Sequence, residues 1–445
     1  MSHHPDACDR PAAAHFPASR LVRHAARGSL VLVPLLLAGC GGGDNAAIRL
    51  LNVSQDYTSV NVWVGDTITT PTLPSVATGT LSSYAGISPA TDTLYFTEGA
   101  NTQSDALTSE SETFTASEHR TYVAYGDSGS FAEYEIDENE AAPSSGDASV
   151  EVLNTATDAG AVDIYLTSSG TALTSVSPNF SDLAVGKATA FSSVTSGTYE
   201  LSVTGTGNNS DVRLQVPSIT LSSGEVVTII LTESAGGYLV NAYLLPQQGS
   251  LTAELNPNSR VRAVVGLTSG SASATVGSTA LLSNAPATSI GTYQMVAAGT
   301  DTVAVSVSGT GVASPSEALA AGQDYTLLLY QNSSGIQENW LIDTNRLPAS
   351  GDASIRLVHA MSGLTDPISL AVNYVPVATD VSQGEGSGYD TGIAASTTSV
   401  LSVTDTTTSQ PLYSQSAVTL ASQGVYSLFM FGSASSPTGV LNEDR

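Results

Sequence analysis

The sequence predicts an all-β protein made of four tandem β-sandwiches. Three observations predict it. Short alternating apolar runs are separated by clusters of Gly, Ser, Asn and Pro, no stretch carries a sustained helical apolar stripe, and one pattern recurs about every hundred residues.

The recurrence is read at the openings of the units. Ile48-Arg49-Leu50-Leu51-Asn52 is followed by Val150-Glu151-Val152-Leu153-Asn154, by Thr252-Ala253-Glu254-Leu255-Asn256 and by Ile355-Arg356-Leu357-Val358-His359. The joints recur as well. Pro143-Ser144-Ser145-Gly146-Asp147-Ala148-Ser149 differs from the run Pro348 to Ser354 only at its second residue, and Pro246 to Ser250 is a looser version. The units therefore span 48–142, 148–245, 251–347 and 353–445, and each has the size of an immunoglobulin-like sandwich. Short Pro/Ser/Gly joints predict an extended string with a reach on the order of 150 Å.

Two further landmarks repeat inside the units. Tyr84, Phe191, Tyr293 and Tyr389 each precede a strand by about ten residues. Near the end of each unit a Leu, a tight turn and a new strand follow one another. Leu319 to Tyr325, with Gly322, and Leu420 to Tyr426, with Gly424, show this best. Leu221 to Val227 keeps Gly224 without the aromatic, and Ala116 to Tyr122 keeps the aromatic without the glycine. A Leu and a Tyr at this spacing across a β-to-β turn predict a tyrosine corner, its hydroxyl bonded back to upstream backbone. Tyr122, Tyr325, Tyr426, Gly224, Gly322 and Gly424 are read as structural on that basis.

Charge and residue counts exclude several kinds of chemistry. The chain has 445 residues, with 13 Lys and Arg against 40 Asp and Glu, for a formal net charge of −27. Such a balance argues against nucleic acid, where affinity comes largely from cations on phosphates. Only His119 and His359 lie beyond residue 40, in different units, so histidine catalysis has little to build on. His359 fills the slot of Asn52, Asn154 and Asn256, which suggests a side chain bonding to nearby backbone. Gly205-Thr206-Gly207 and Gly309-Thr310-Gly311 lack the following helix that a phosphate cradle needs, and no cofactor is implied.

Two surfaces remain as candidates. Val60, Val62 and Val64 alternate with Asn61 and Trp63, which puts the valines inside and the other pair on the opposite face. Tyr165 with Asp163 occupies the equivalent place. Trp63, Asn61, Tyr165 and Asp163 are thus candidate ligand-binding residues for a sugar ring or a peptide. Packing against a neighbouring domain or an overlying loop is the competing reading. Glu133, Glu135 and Asp137 share one strand face. They read first as charges protecting a solvated edge, and second as a site for a divalent cation.

The first 39 residues carry an address. Arg20, Arg23 and Arg27 precede the apolar run Leu30 to Leu37, and Leu37-Ala38-Gly39 precedes Cys40. Basic flank, short apolar core and small residues form an export signal. The run is about half of the roughly 20 residues a membrane span requires. Leu-Ala-Gly-Cys resembles the bacterial lipoprotein processing box. That resemblance implies a signal peptide over 1–39, lipid on Cys40 and a short tether over 40–47. Gly41 in place of an Asp implies the outer membrane. Cys8 leaves with the leader, so no disulfide is available.

The unit openings also resemble a family. Ile355-Arg356-Leu357-Val358-His359-Ala360-Met361-Ser362, Val162-Asp163-Ile164-Tyr165-Leu166 and Val60-Asn61-Val62-Trp63-Val64 are similar to the motifs of a tandem β-sandwich domain of bacterial surface proteins, a domain of unknown function. Arg260 to Gly266 follows the pattern only loosely. The resemblance brings no activity with it. The expected function is therefore a non-enzymatic, lipid-anchored spacer or adhesive string that binds polysaccharide or an envelope or matrix protein. A self-associating envelope component is the alternative, and a hydrolase the remote third.

Overall fold

A computed structural model describes residues 45–445 of the chain. The expected signal peptide and Cys40 lie outside the described residues. The first strand, Ala46–Asn52, begins inside the expected tether.

The described part is all-β, with helix limited to three single-turn 3-10 segments. In the first unit, Ala46–Asn52 pairs in parallel with His119–Tyr125, which pairs antiparallel with Ala132–Asp137. A second sheet sets Ser59–Val64 between Leu73–Ala77 and Thr91–Glu98, with Thr108–Thr113 at its edge. Alternation explains the core between them. Ile48, Leu50, Tyr122 and Ala124 point inward from one sheet, and Val60, Val62, Leu94 and Phe96 from the other. The same pair of sheets encloses a cluster around Val150, Val152 and Ile229, a third around Val261, Ala263 and Leu327, and a fourth around Ile355, Leu357 and Leu428.

Pairing register corrects the opening of the third unit. Thr252–Glu254 is not its first strand, because it pairs with Val240–Pro246 and extends the preceding sheet. The parallel pairing that marks an opening belongs to Asn258–Gly266, where Arg262 stands opposite Thr326 as Arg49 stands opposite Thr121. Asn256 instead donates to the carbonyls of Arg213 and Val240, within the second unit. The slot of Asn52, Asn154 and His359 is filled there by Val265.

The units are not strung out end to end. Leu51, Val53, Val123 and Tyr125 on the outer face of the first unit pack against Leu153, Ile230, Tyr243 and Leu245 of the second. Val264, Leu328 and Leu341 pack in the same way against Val358, Ala360, Phe429 and Phe431. Strands in these faces are buried on both sides, and their runs are almost continuously apolar. Apolar area removed from water at about 25 cal/mol per Å2 favours this apposition over an open string.

Glycines permit the close approach. Gly384, at φ +83°, has the ring of Tyr330 from the neighbouring unit where a Cβ would stand. Gly186 and Gly79 stand in the same way under the hydroxyls of Tyr125 and Tyr243, each from the opposite unit.

Candidate functional site

The opening arginines of the first, third and fourth units are buried rather than presented. Arg262 lies over the ring of Tyr293, Arg356 over Tyr389 and Arg49 over Tyr84, each 4.6 Å from the ring centre. This explains the aromatic landmark that recurs before a strand, because the ring covers the guanidinium. In the second unit both partners change together, to Glu151 and Phe191. Between the third and fourth units the arginines are exchanged. Arg262 pairs with Asp444 at 2.6 Å and Arg356 with Asp343 at 2.6 Å. Tyr293 donates to Asp343 at 2.5 Å and Tyr389 to Asp444 at 3.1 Å. Arg49 closes on Glu138 within its own unit and also donates to the Gly249 carbonyl of the second.

A second charged centre lies where loops of the first and second units meet the joint between the third and fourth. Arg346 reaches Asp56 at 2.5 Å, Asp127, and Asp158 at 3.3 Å, and it stands 3.6 Å from Glu233. The amide of Leu347 donates to Asp158 at 2.6 Å, and Thr157 donates to Asp127 at 3.0 Å. Local backbone makes this possible. Gly237, at φ +84°, sits with its Cβ position 2.7 Å from the amide nitrogen of Arg346. Arg445 braces the same loop by donating to the carbonyls of Gly237 and Asn345.

The electrostatics of this centre are lopsided, with four carboxylates facing one guanidinium. Burial, then the adjacent Asp158 carboxylate, push the Glu233 carboxyl well above the ordinary carboxylate range. Burial and the charge of Asp158 raise Asp127 too. Burial acts on Asp56 in the same direction, but its bonds from Arg346 and Ser128 outweigh it and hold the carboxyl low. A cleft of ≈ 740 Å3 opens beside the centre, lined among others by Asp56, Tyr125, Asp127, Asp158, Arg346 and Tyr389.

The candidate ligand-binding residues lie elsewhere, and they are buried. Trp63 is 6 % exposed and Tyr165 is 3 % exposed, with Asn61 and Asp163 equally covered. The expectation of an open aromatic face is thereby corrected. Trp63 donates its indole N–H to Thr97 at 3.0 Å, and Asn61 donates to Thr97 and to the Gly99 carbonyl. The polar members hold a β-bulge. Asn61 accepts the amide of Ser75 at 2.7 Å, and Asp163 accepts those of Asp182 at 2.8 Å and Gly207 at 2.9 Å. Ser273 accepts from Asn284 and Ser369 from Asp380 at the equivalent places. Ser75, Asp182, Asn284 and Asp380 all have φ near +50°, at a shift of register. A bulge leaves its extra amide unpaired, so an acceptor at this point satisfies it. The repeated polar residue inside an alternating strand was the available signal.

At the turns, the hydroxyl of Tyr325 accepts the amide of Ala320 at 3.0 Å, and that of Tyr426 accepts the amide of Ala421 at 2.9 Å. The hydroxyl of Tyr122 is buried without a hydrogen bond. Gly224 and Gly322 take positive φ, whereas at the fourth turn Gln423 does, and Gly424 is needed because the Tyr426 ring lies 2.6 Å from its Cβ position. Asn52 and Asn154 donate to nearby carbonyls, and His359 lies 3.2 Å from the Asp366 carbonyl.

Glu133, Glu135 and Asp137 do not converge as ligands. Glu135 and Glu112 pair with Arg120, at 3.2 and 2.7 Å, and Asp137 accepts from Asn139. Among the described residues, the carboxylates whose oxygens do converge are Asp127, Asp158 and Glu233, all within 4.8 Å of one another. Residues from distant parts of the chain make that group, so no local spacing announces it.

Comparison with known proteins adds little about activity. No curated protein matches the chain. A solved structure described as the product complex of a multi-modular glycogen-degrading pneumococcal virulence factor, SpuA, aligns over 83 % of this chain at 10 % identity and a TM-score of 0.17. The chain spans 37 % of that protein's length. The family model described as Domain of unknown function (DUF4397) matches residues 46–165 and 259–365, and its second match begins at the corrected opening strand. With about half of its length matched in two tandem regions, the chain belongs to this family.

Proposed function

We propose that the protein is a non-catalytic, lipid-anchored component of the cell envelope, whose four immunoglobulin-like sandwiches form one rigid body that binds an envelope or matrix macromolecule. The observation that carries this reading is the cross-unit packing. Apolar faces join the units in pairs, and Arg346 ties one pair to the other. Such joints resist hinging and suit a fixed spacer that presents a surface. The lipid on Cys40 rests on the Leu37-Ala38-Gly39-Cys40 sequence, and attachment at the outer membrane rests on Gly41. A non-enzymatic role fits the histidines, since His359 is buried against backbone and His119 packs edge-on to Tyr84.

The surface most suited to a polysaccharide or protein partner is the hairpin tip at Tyr374 and Val375, which are 81 % and 62 % exposed. Tyr374 and its neighbour Asn373 both hold positive φ, which costs Tyr374 roughly 1 kcal/mol. Two measurements test the proposal. Cys40→Ser is expected to abolish incorporation of a labelled fatty acid and to release the protein from the membrane fraction. Glycan and peptide arrays probed with residues 43–445 are expected to give binding that Tyr374→Ala removes. Retention of the Cys40→Ser protein in membranes overturns the anchor, and array binding indifferent to Tyr374 overturns the tip. Concentration-dependent assembly without any ligand selects self-association instead.

A further inference from the structure

We propose that Asp127, Asp158 and Glu233 form a calcium site closed on one side by Arg346. The inference goes beyond the envelope role and does not depend on it. Three observations carry it.

The first is span. One oxygen from each of the three carboxylates lies within 4.8 Å of the others. Calcium holds oxygens at about 2.3–2.6 Å, so two ligands on opposite sides of one ion stand roughly 5 Å apart. A single ion can therefore touch all three.

The second is an unused ligand atom. Glu233 is 2 % exposed, and its Oε2 makes no hydrogen bond. Arg346 stands 3.6 Å from that oxygen, beyond hydrogen-bond reach, because its nitrogens are committed to Asp56, Asp127 and Asp158. A buried carboxylate oxygen left bare costs on the order of 1–3 kcal/mol, which a bound cation recovers.

The third is charge and access. Asp56, Asp127, Asp158 and Glu233 converge on a single guanidinium, which leaves the centre short of positive charge. The adjoining cleft is lined by Asp127 and Asp158, so an ion has a route to them from solvent. An all-oxygen donor set selects a hard cation, and the irregular arrangement suits calcium better than magnesium, which demands near-octahedral geometry. The hydroxyl of Thr157, bonded to Asp127, and water supply further oxygens.

The test uses residues 43–445, which form one compact unit. After chelation and dialysis, calcium titration calorimetry is expected to show one saturable site with a Kd of roughly 10⁻⁴–10⁻³ M. Terbium in place of calcium is expected to emit on excitation of tyrosine, since Tyr125 lines the same cleft. Calcium is expected to raise the melting temperature. Glu233→Gln and Asp158→Asn are expected to weaken uptake at least about tenfold, whereas Glu135→Gln leaves it unchanged. Absence of both heat and a melting shift in the unsubstituted protein overturns the proposal, whatever the variants do. Uptake that survives unchanged in both variants, or that is lost equally in Glu135→Gln, also overturns it. Far-UV circular dichroism on each variant separates loss of a ligand from loss of fold.

Discussion

Arg346 and Asp127 are 219 residues apart in the chain and form a direct ion pair. That pair joins the first unit to the joint between the third and fourth. The same guanidinium reaches Asp158 of the second unit, so one side chain links the first two units to the end of the third. Removing it strands buried Asp158 and Glu233, which make no other ion pair among the described residues. Arg346→Met is expected to lower the unfolding free energy by about 3 kcal/mol in urea titration. It is also expected to raise the radius of gyration of residues 43–445 above the roughly 21 Å of a compact chain this long, as read by small-angle scattering. An unchanged radius with unchanged stability would show that the apolar faces alone hold the units.

The turn tyrosines divide into two kinds. Tyr325→Phe and Tyr426→Phe each delete an acceptor for a backbone amide and are expected to cost about 1 kcal/mol. Tyr122→Phe removes a hydroxyl that is buried without a partner and is expected to be neutral or stabilising. Denaturant midpoints of the three variants decide this.

Bulge acceptors are expected to matter for stability and not for ligand capture. Ser273→Ala and Ser369→Ala each hand one exposed bulge amide to water, for a loss of about 0.5 kcal/mol. Asp163→Ala strands two amides and is expected to cost more than either. Trp63→Ala opens a cavity in a covered face and is expected to cost roughly 3–5 kcal/mol. Tyr374→Ala, at the exposed tip, is expected to change stability by no more than about 0.5 kcal/mol.

Acidity around Arg120 gives a pH dependence. Burial, then the charges of Glu133, Glu112 and Glu135, push the Glu110 carboxyl up to about 7 from an ordinary 4.5. A raised folded-state value means that the proton binds the folded form more tightly. The resulting stabilisation is complete below about pH 4.5 and is lost as pH rises through about 7. Glu133 and Glu135 are raised in the same sense, chiefly by burial. Glu110→Gln is therefore expected to flatten, without abolishing, the fall in melting temperature between pH 4.5 and 7. An equally steep fall in the variant assigns the effect to other groups.

The residue pattern by itself determined the strands, the tandem units and the side of each strand that faces its own core. Val60 and Val62 point inward as alternation requires, because a period of two is a local property of extended backbone. The opening of the third unit was obscured. Thr252 to Asn256 imitates the motif, but strand pairing, which depends on residues far along the chain, assigns that place to Val261 and Arg262. What covers the outer faces was decided only by the tertiary structure. Continuous runs such as Val226-Val227-Thr228-Ile229-Ile230-Leu231 carried a trace of it, since a strand buried on both faces has no reason to alternate. The centre at Arg346 had no such trace. Its four carboxylates become neighbours only when three separate loops and a strand end are packed together, and charge acts through space rather than along sequence.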